Sequence, residues 1–333
     1  MRNERTAVMA ALAAGCLAIW AAPCAGQRGD LREKLKDLNV RRTTAHYALA
    51  GTITDTRMNI YADALEYIYK EYRKGFVEVL KDRGETDDKP KKKRRGRSRR
   101  GRKQAAEEAR TMDQLDEHGR FPVIIFNNKR QYEEFGRAFL GGSEHTIGMY
   151  IPSCRLLVIM DQGNFNETTE VLFHEAFHQF MHRYVNNPPI WLNEGLAVHY
   201  GYARPTPNGL VFRNPPAFRW EFVRELIRSR RATPLWDIVN ADYATFYDKT
   251  PIDVSGFINV TRSSVYYSEA YTLVHTLLSD RSGRERLRDY LRALARDDGF
   301  GADMITREFF GPKTCEHMAS FWAAHINSRP ETR

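Results

Sequence analysis

Residues 171–200, VLFHEAFHQFMHRYVNNPPIWLNEGLAVHY, restrict the possible folds more than any other part of the chain. The first half has no glycine or proline and carries aromatic residues at helical spacing, which predicts a helix. Thr168 or Thr169 is the expected cap at its start. The Pro-Pro pair ends this helix, and a second helix is expected from about Trp191. A turn this short predicts that the two helices run antiparallel.

The polar residues of this segment have the chemistry of a metal site. His174 and His178 are four residues apart and therefore share one helix face, where two imidazoles can bind one tetrahedral zinc ion. Glu175 lies about 100° round the helix, so it can reach water on the metal without being a ligand. Glu194, on the returning helix, would complete a set of three ligands with one open position. The alternative is a helix with solvated imidazoles, with Glu194 placed at a helix start by the helix dipole.

The strings HEAFH and WLNEGLA together resemble the gluzincin zinc metallopeptidases. The chain is more closely similar to an uncharacterised bacterial gluzincin-like domain family, through HYALAG, the hairpin before the zinc helix and YYSEAYTLVHTLL. The resemblance implies that His174, His178 and Glu194 bind Zn²⁺ and that Glu175 is the general base. It also implies that Tyr267, or Tyr266 beside it, donates to the oxyanion that forms on the substrate. Core tyrosines at a helix start are the alternative for these two residues.

The order of elements predicts an α+β fold. Strand patterns occur in residues 44–53, 121–128 and 146–161, and amphipathic helices dominate after the motif. The resemblance implies a zincin core of the thermolysin type, in which a small mixed sheet with an edge hairpin packs on the zinc helix and a mostly helical part follows. We expect the hairpin strand Leu156–Ile159 to hold an extended peptide by edge pairing.

Three features depart from the aminopeptidases of the gluzincin group. Only 15 residues separate His178 from Glu194, so the connection is tight. Val198 stands where many gluzincins have an acidic residue that orients a ligand histidine. GGSEHTIGMY does not match the loop that binds the substrate amine, so aminopeptidase specificity is not supported. His182 lies about 6 Å farther along the helix axis and is not expected to bind the metal. His275 is expected to be a core histidine.

The charge of the chain is concentrated in one segment. The formal net charge is +9, but Lys89–Lys103 carries 11 basic residues, and the remainder of the chain has a charge of −2. We interpret residues 81–119 as a disordered basic insertion within one metallopeptidase domain made of residues 27–80 and 120–329. The insertion has the charge to bind a polyanion or an anionic membrane surface. A solvated loop is the alternative.

The N-terminus has the pattern of an export signal. Arg2 and Arg5 precede an uncharged, alanine-rich run, and small residues follow, which predicts a signal peptide at residues 1–26. The protein is therefore expected to be exported, in the periplasm, outside the cell or anchored through an uncleaved signal. Cys154 and Cys315 would remain, either as a disulfide or as two buried thiols.

Three functions fit these features. The first is a secreted zinc metallopeptidase that hydrolyses peptide bonds with zinc-activated water and a glutamate base. The second is an inactive relative that binds peptides or envelope components. The third is a polyanion-binding protein with a structural zinc site. Glu175 favours the first, because a structural site needs no base.

Overall fold

The computed structural model describes residues 41–82, 119–140, 146–152, 155–206, 209–212, 217–297 and 301–329. The predicted signal peptide, the basic run and Cys154 lie outside these residues. The chain divides into two compact units, with the boundary between Gln179 and Phe180. Within the described ranges, no helix is both long and apolar enough to cross a membrane.

The first unit contains a five-stranded mixed sheet, which confirms the prediction of a small mixed sheet in an α+β protein. Strand β2 is parallel to β3, and β3 is parallel to β5, while β1 and β4 are antiparallel to their neighbours. The three parallel strands are buried apolar runs, as expected for strands covered on both faces. In chain order the strands are β1 Arg42–Thr43, β2 Tyr47–Gly51, β3 Phe121–Phe126, β4 Gly148–Ile151 and β5 Leu156–Met160.

The edge of the sheet differs from the prediction. The strand order is β1-β2-β3-β5-β4, so β5 lies inside the sheet and β4 forms the outer edge of the described strands. Leu157 pairs with Val123 on one side and with Tyr150 on the other. The prediction that Leu156–Ile159 offers a pairing edge is therefore wrong. The second strand of the hairpin, rather than the first, docks on β3.

Helices α1 to α4 precede or cross the boundary between the units. The tyrosine hydroxyl of Tyr72, on α1, donates to the carbonyl oxygen of Phe173 on α4 over 2.6 Å, and its ring packs on Phe177. These contacts fix the long motif helix against α1 through its apolar side. The four helices are α1 Asp55–Gly75, α2 Val77–Asp82, α3 Lys129–Leu140 and α4 Phe165–Tyr184.

The second unit is mostly helical, in agreement with the predicted character of the C-terminal part. It has one hairpin among its described residues, made of β6 Ala203–Thr206 and β7 Gly209–Phe212. Cys315 is a free, buried thiol that donates to the carbonyl oxygen of Phe310 over 3.2 Å. The helices are α5 Ile190–Gly201, α6 Ala217–Arg228, α7 Leu235–Val239, α8 Tyr243–Phe246, α9 Arg262–Ser279, α10 Arg281–Ala295, α11 Gly301–Phe310 and α12 Pro312–Asn327.

Helices α5 and α9 cross at Gly195. A Cβ atom on this glycine would lie 2.7 Å from both the carbonyl oxygen of Ala270 and Cγ2 of Val274. No larger residue fits without moving one helix. The glycine that follows Glu194 therefore fixes how α5 packs.

Candidate metal centre

The motif helix α4 starts four or five residues earlier than the predicted Thr168 or Thr169 cap implies. Asn164 accepts the backbone N–H of Asn166 at 2.9 Å, so an asparagine immediately before the helix satisfies one of the first N–H groups. Thr168 and Thr169 lie inside the first turns, where the Thr169 hydroxyl donates to the carbonyl oxygen of Phe165. The predicted threonine cap is wrong, although the predicted helix is present.

Gln179 ties the same helix to the sheet. Its side-chain amide nitrogen donates to the carbonyl oxygens of Pro122 at 2.9 Å and Arg155 at 2.8 Å. Gln179 follows His178 directly, so a buried polar clamp fixes the rotation of the helix beside the imidazoles.

His174 and His178 face each other at the spacing of two ligands. Their Nε2 atoms are 3.1 Å apart, their rings are nearly perpendicular, and the two residues are 4% and 1% exposed. Two nitrogens bound to one tetrahedral zinc ion at 2.0–2.1 Å would be separated by about 3.3 Å. The pair is thus near the separation that zinc requires.

Glu194 joins this pair. Pro188 and Pro189 separate the helices as predicted, and α5 begins at Ile190, with Pro189 as its N-cap residue. Donor atoms of His174, His178 and Glu194 all lie within 4.8 Å of one another, and all three residues are buried. Two imidazoles and a carboxylate are a donor set that suits zinc. These residues form a group that fits a metal ion.

Glu175 is completely buried, one position beyond the first histidine. Gly148, at the start of edge strand β4, lies against the helix at this point. A Cβ atom on Gly148 would be 2.4 Å from Cγ1 of Val171 and 3.2 Å from Cγ of Glu175. The missing side chain of Gly148 allows the edge strand to lie directly against the predicted base.

Tyr247 is a site residue that the sequence analysis missed. It follows the short helix α8, which Asp242 caps by accepting the backbone N–H of Thr245. The phenol of Tyr247 donates to Oε1 of Glu194. Burial and the negative charge of Glu194 raise the pKa of Tyr247 well above its ordinary value, while a hydrogen bond with Tyr267 acts in the opposite direction. The phenol therefore keeps its proton and acts as a donor.

Tyr267 and Tyr266 begin the second turn of α9, which a reciprocal Thr261–Ser264 capping box starts. The ring of Tyr267 is buried and lies 6.0 Å from that of Tyr247 and 5.2 Å from that of Phe246. Tyr266 is half-buried and packs on Phe246 at 5.5 Å. Of the two candidates, Tyr267 is the one that packs on the tyrosine bound to Glu194. The oxyanion role of either residue stays a prediction.

The other histidines belong to different surroundings. His182 is half-buried and does not belong to the group of residues that could hold a metal ion. His275 lies with Nδ1 at 3.2 Å from Nε2 of His325, and Arg329 Nη2 is 3.4 Å and 3.2 Å from these two nitrogens. We call His275, His325 and Arg329 the second histidine cluster. Burial and, secondarily, Arg329 lower the pKa of His275 to about 3, so the imidazole is neutral at pH 7.

No protein-family model matches the chain. No curated protein matches it either.

Proposed function

We propose that this protein is a zinc-dependent metallopeptidase with a zincin core of the gluzincin type. His174, His178 and Glu194 are the proposed ligands, and Glu175 is the proposed general base. The observation that carries the proposal is the buried group of two imidazoles and one carboxylate with donor atoms within 4.8 Å. Three protein ligands leave a fourth position for water or substrate, as in catalytic zinc sites.

The proposed chemistry divides between the ion and the side chains. Bound zinc would supply Lewis acidity and lower the pKa of water. Glu175 accepts a proton from the attacking water and passes it to the nitrogen that leaves when the peptide bond breaks. Tyr267, or Tyr266, donates a hydrogen bond to the carbonyl oxygen as negative charge develops on it. Burial of Glu175 keeps bulk water away from the proton that it carries.

We propose that the peptide substrate lies along strand β4. This strand is one of the two edges of the described sheet, and its first residue, Gly148, lies against Glu175. An extended peptide can pair with the backbone of such an edge. Strand β4 therefore replaces Leu156–Ile159 as the strand proposed to pair with the peptide.

Export through residues 1–26 and attraction of a polyanion or anionic membrane by Lys89–Lys103 are also proposals. They follow from the alanine-rich run and from the 11 basic residues of the insertion. They are independent of the metal centre.

The test measures zinc content and hydrolysis of a mixed peptide library for the wild type and for Glu175→Gln. The wild type should bind about one zinc ion and cleave peptides. Glu175→Gln should retain zinc and lose about 10²- to 10⁴-fold in rate. Glu167→Gln is the matched control, because Glu167 is exposed in the first turn of the same helix, and it should be unaffected. Hydrolysis by Glu175→Gln at the wild-type rate would exclude Glu175 as the base. Zinc binding without hydrolysis in the wild type would favour the inactive binding protein.

A further inference from the structure

The carboxylate of Glu194 has a protein partner that belongs to no sequence motif. The phenol of Tyr247 donates to Oε1 of Glu194, and the two residues are 53 positions apart in the chain. Glu194 is completely buried, so bulk water does not orient its carboxylate. The direction in which the carboxylate points therefore depends on groups of the protein.

The position of this phenol is fixed by the aromatic residues around it. The ring of Tyr247 lies 4.5 Å from that of Tyr243, 5.4 Å from that of Phe246 and 6.0 Å from that of Tyr267. Phe246 is completely buried and anchors the short helix α8 in the unit. Aromatic rings that are packed on several sides lose little further conformational freedom when a ligand binds. The Tyr247 hydroxyl is therefore already positioned to donate to Glu194.

From this geometry we infer that Tyr247 is a positioning residue, which orients Glu194 as a metal ligand through a phenol–carboxylate hydrogen bond. The inference rests on the proposed metal site. A donor on one oxygen restricts rotation of the carboxylate and reduces the reorganisation needed when the ion binds. Partners of this kind typically contribute 10- to 100-fold to metal affinity. Tyr247 acts through Glu194 and is not required to touch the substrate.

The decisive experiment is a chelator competition that measures zinc affinity for the full-length protein and Tyr247→Phe. The substitution removes the hydroxyl and keeps the ring, so the aromatic packing remains. Zinc affinity should fall about 10- to 100-fold. Tyr271→Phe is the control, because it also removes a phenol from this unit while its ring packs on Tyr202 and His275, and its zinc affinity should stay within about twofold of the wild type.

A double-mutant cycle separates positioning from a general structural effect. In a Glu194→Ala background, zinc binding is weak, and Tyr247→Phe should change it by less than about twofold, because no side-chain oxygen remains at position 194 to accept the phenol. An equal loss in both backgrounds would overturn the inference, as would wild-type affinity in Tyr247→Phe.

The result also distinguishes this inference from the proposed function. A wild type that binds zinc, depends on Tyr247 for affinity and cleaves no peptide supports the positioning role and overturns the peptidase. A wild type that binds no zinc overturns both.

Discussion

Two pairs of imidazoles in this protein have nearly the same nitrogen–nitrogen separation and different third partners. In the candidate metal centre, the Nε2 atoms of His174 and His178 are 3.1 Å apart, and the third group is the carboxylate of Glu194. In the second histidine cluster, the facing nitrogens of His275 and His325 are 3.2 Å apart, and the third group is the guanidinium of Arg329.

This comparison leads us to expect that imidazole spacing alone does not make a metal site. A carboxylate attracts a cation and adds a ligand, whereas a guanidinium repels a cation and has no lone pair to offer. Arg329 also stacks over Trp220 at 5.0 Å, which holds its charge beside the imidazoles. We therefore expect the charge of the third group to decide which of the two clusters can bind a cation.

The largest expected effect comes from removing one imidazole of each pair. His178→Ala should weaken zinc binding by more than about 100-fold. This loss is larger than the one expected for a residue that only supports a ligand. His325→Ala should leave zinc stoichiometry and affinity unchanged. Elemental analysis and chelator competition measure both. Loss of zinc in His325→Ala would contradict the expectation that only the first cluster binds zinc.

A smaller effect is expected from changing the third group of the second histidine cluster. Arg329→Glu replaces the repelling cation with a carboxylate and should create a second, weaker zinc site. Arg329→Gln is the control, since it removes the charge without adding an anion. Zinc titration in the His178→Ala background isolates this site. If Arg329→Glu binds no more zinc than Arg329→Gln, the sign of the third charge is not the deciding factor.

The smallest effect concerns pH. Because the pKa of His275 is about 3 in the folded protein, against about 6.5 in an unfolded chain, the unfolded state takes up the proton first as the pH falls. The contribution of the neutral imidazole to the free energy of unfolding is fully present above pH 6.5. It is lost progressively as the pH falls from 6.5 to 3. Arg329, His199 and His325 face the ring and oppose its protonation.

His275→Gln should remove this dependence. Between pH 7 and 4.5, the free energy of unfolding should fall by about 1–2 kcal/mol less in the variant than in the wild type. This figure allows for the partial exposure of the His275 ring. Denaturant unfolding at the two pH values measures the difference. Equal losses in both proteins would mean that protonation of His275 is not linked to unfolding.

Local patterns in the sequence predict much of this structure. The i, i+4 histidines, the Pro-Pro break and the apolar runs are short-range signals, and the corresponding helices and strands are present. The same signals predict that Glu194 returns to the histidines, because only a short turn separates the two helices.

The predictions that were wrong or missing are of two kinds. Some required a choice between neighbouring segments or residues with the same local pattern, and the other depended on a contact between residues far apart in the chain. Either strand of the hairpin was able to dock on β3, and periodicity does not distinguish them. Asn164 and Thr168 are both good capping residues, so the helix start depended on the preceding loop. Tyr247 reaches Glu194 over 53 residues, and no spacing rule covers that contact.

Gly148 has a consequence for how this protein can vary. A side chain at this position would collide with Val171 at 2.4 Å, and valine's branched side chain has little freedom to move aside. Substitutions at position 148 should therefore be rare, and relatives in which Glu175 has the proposed role of base should keep this glycine even where most of the neighbouring surface differs.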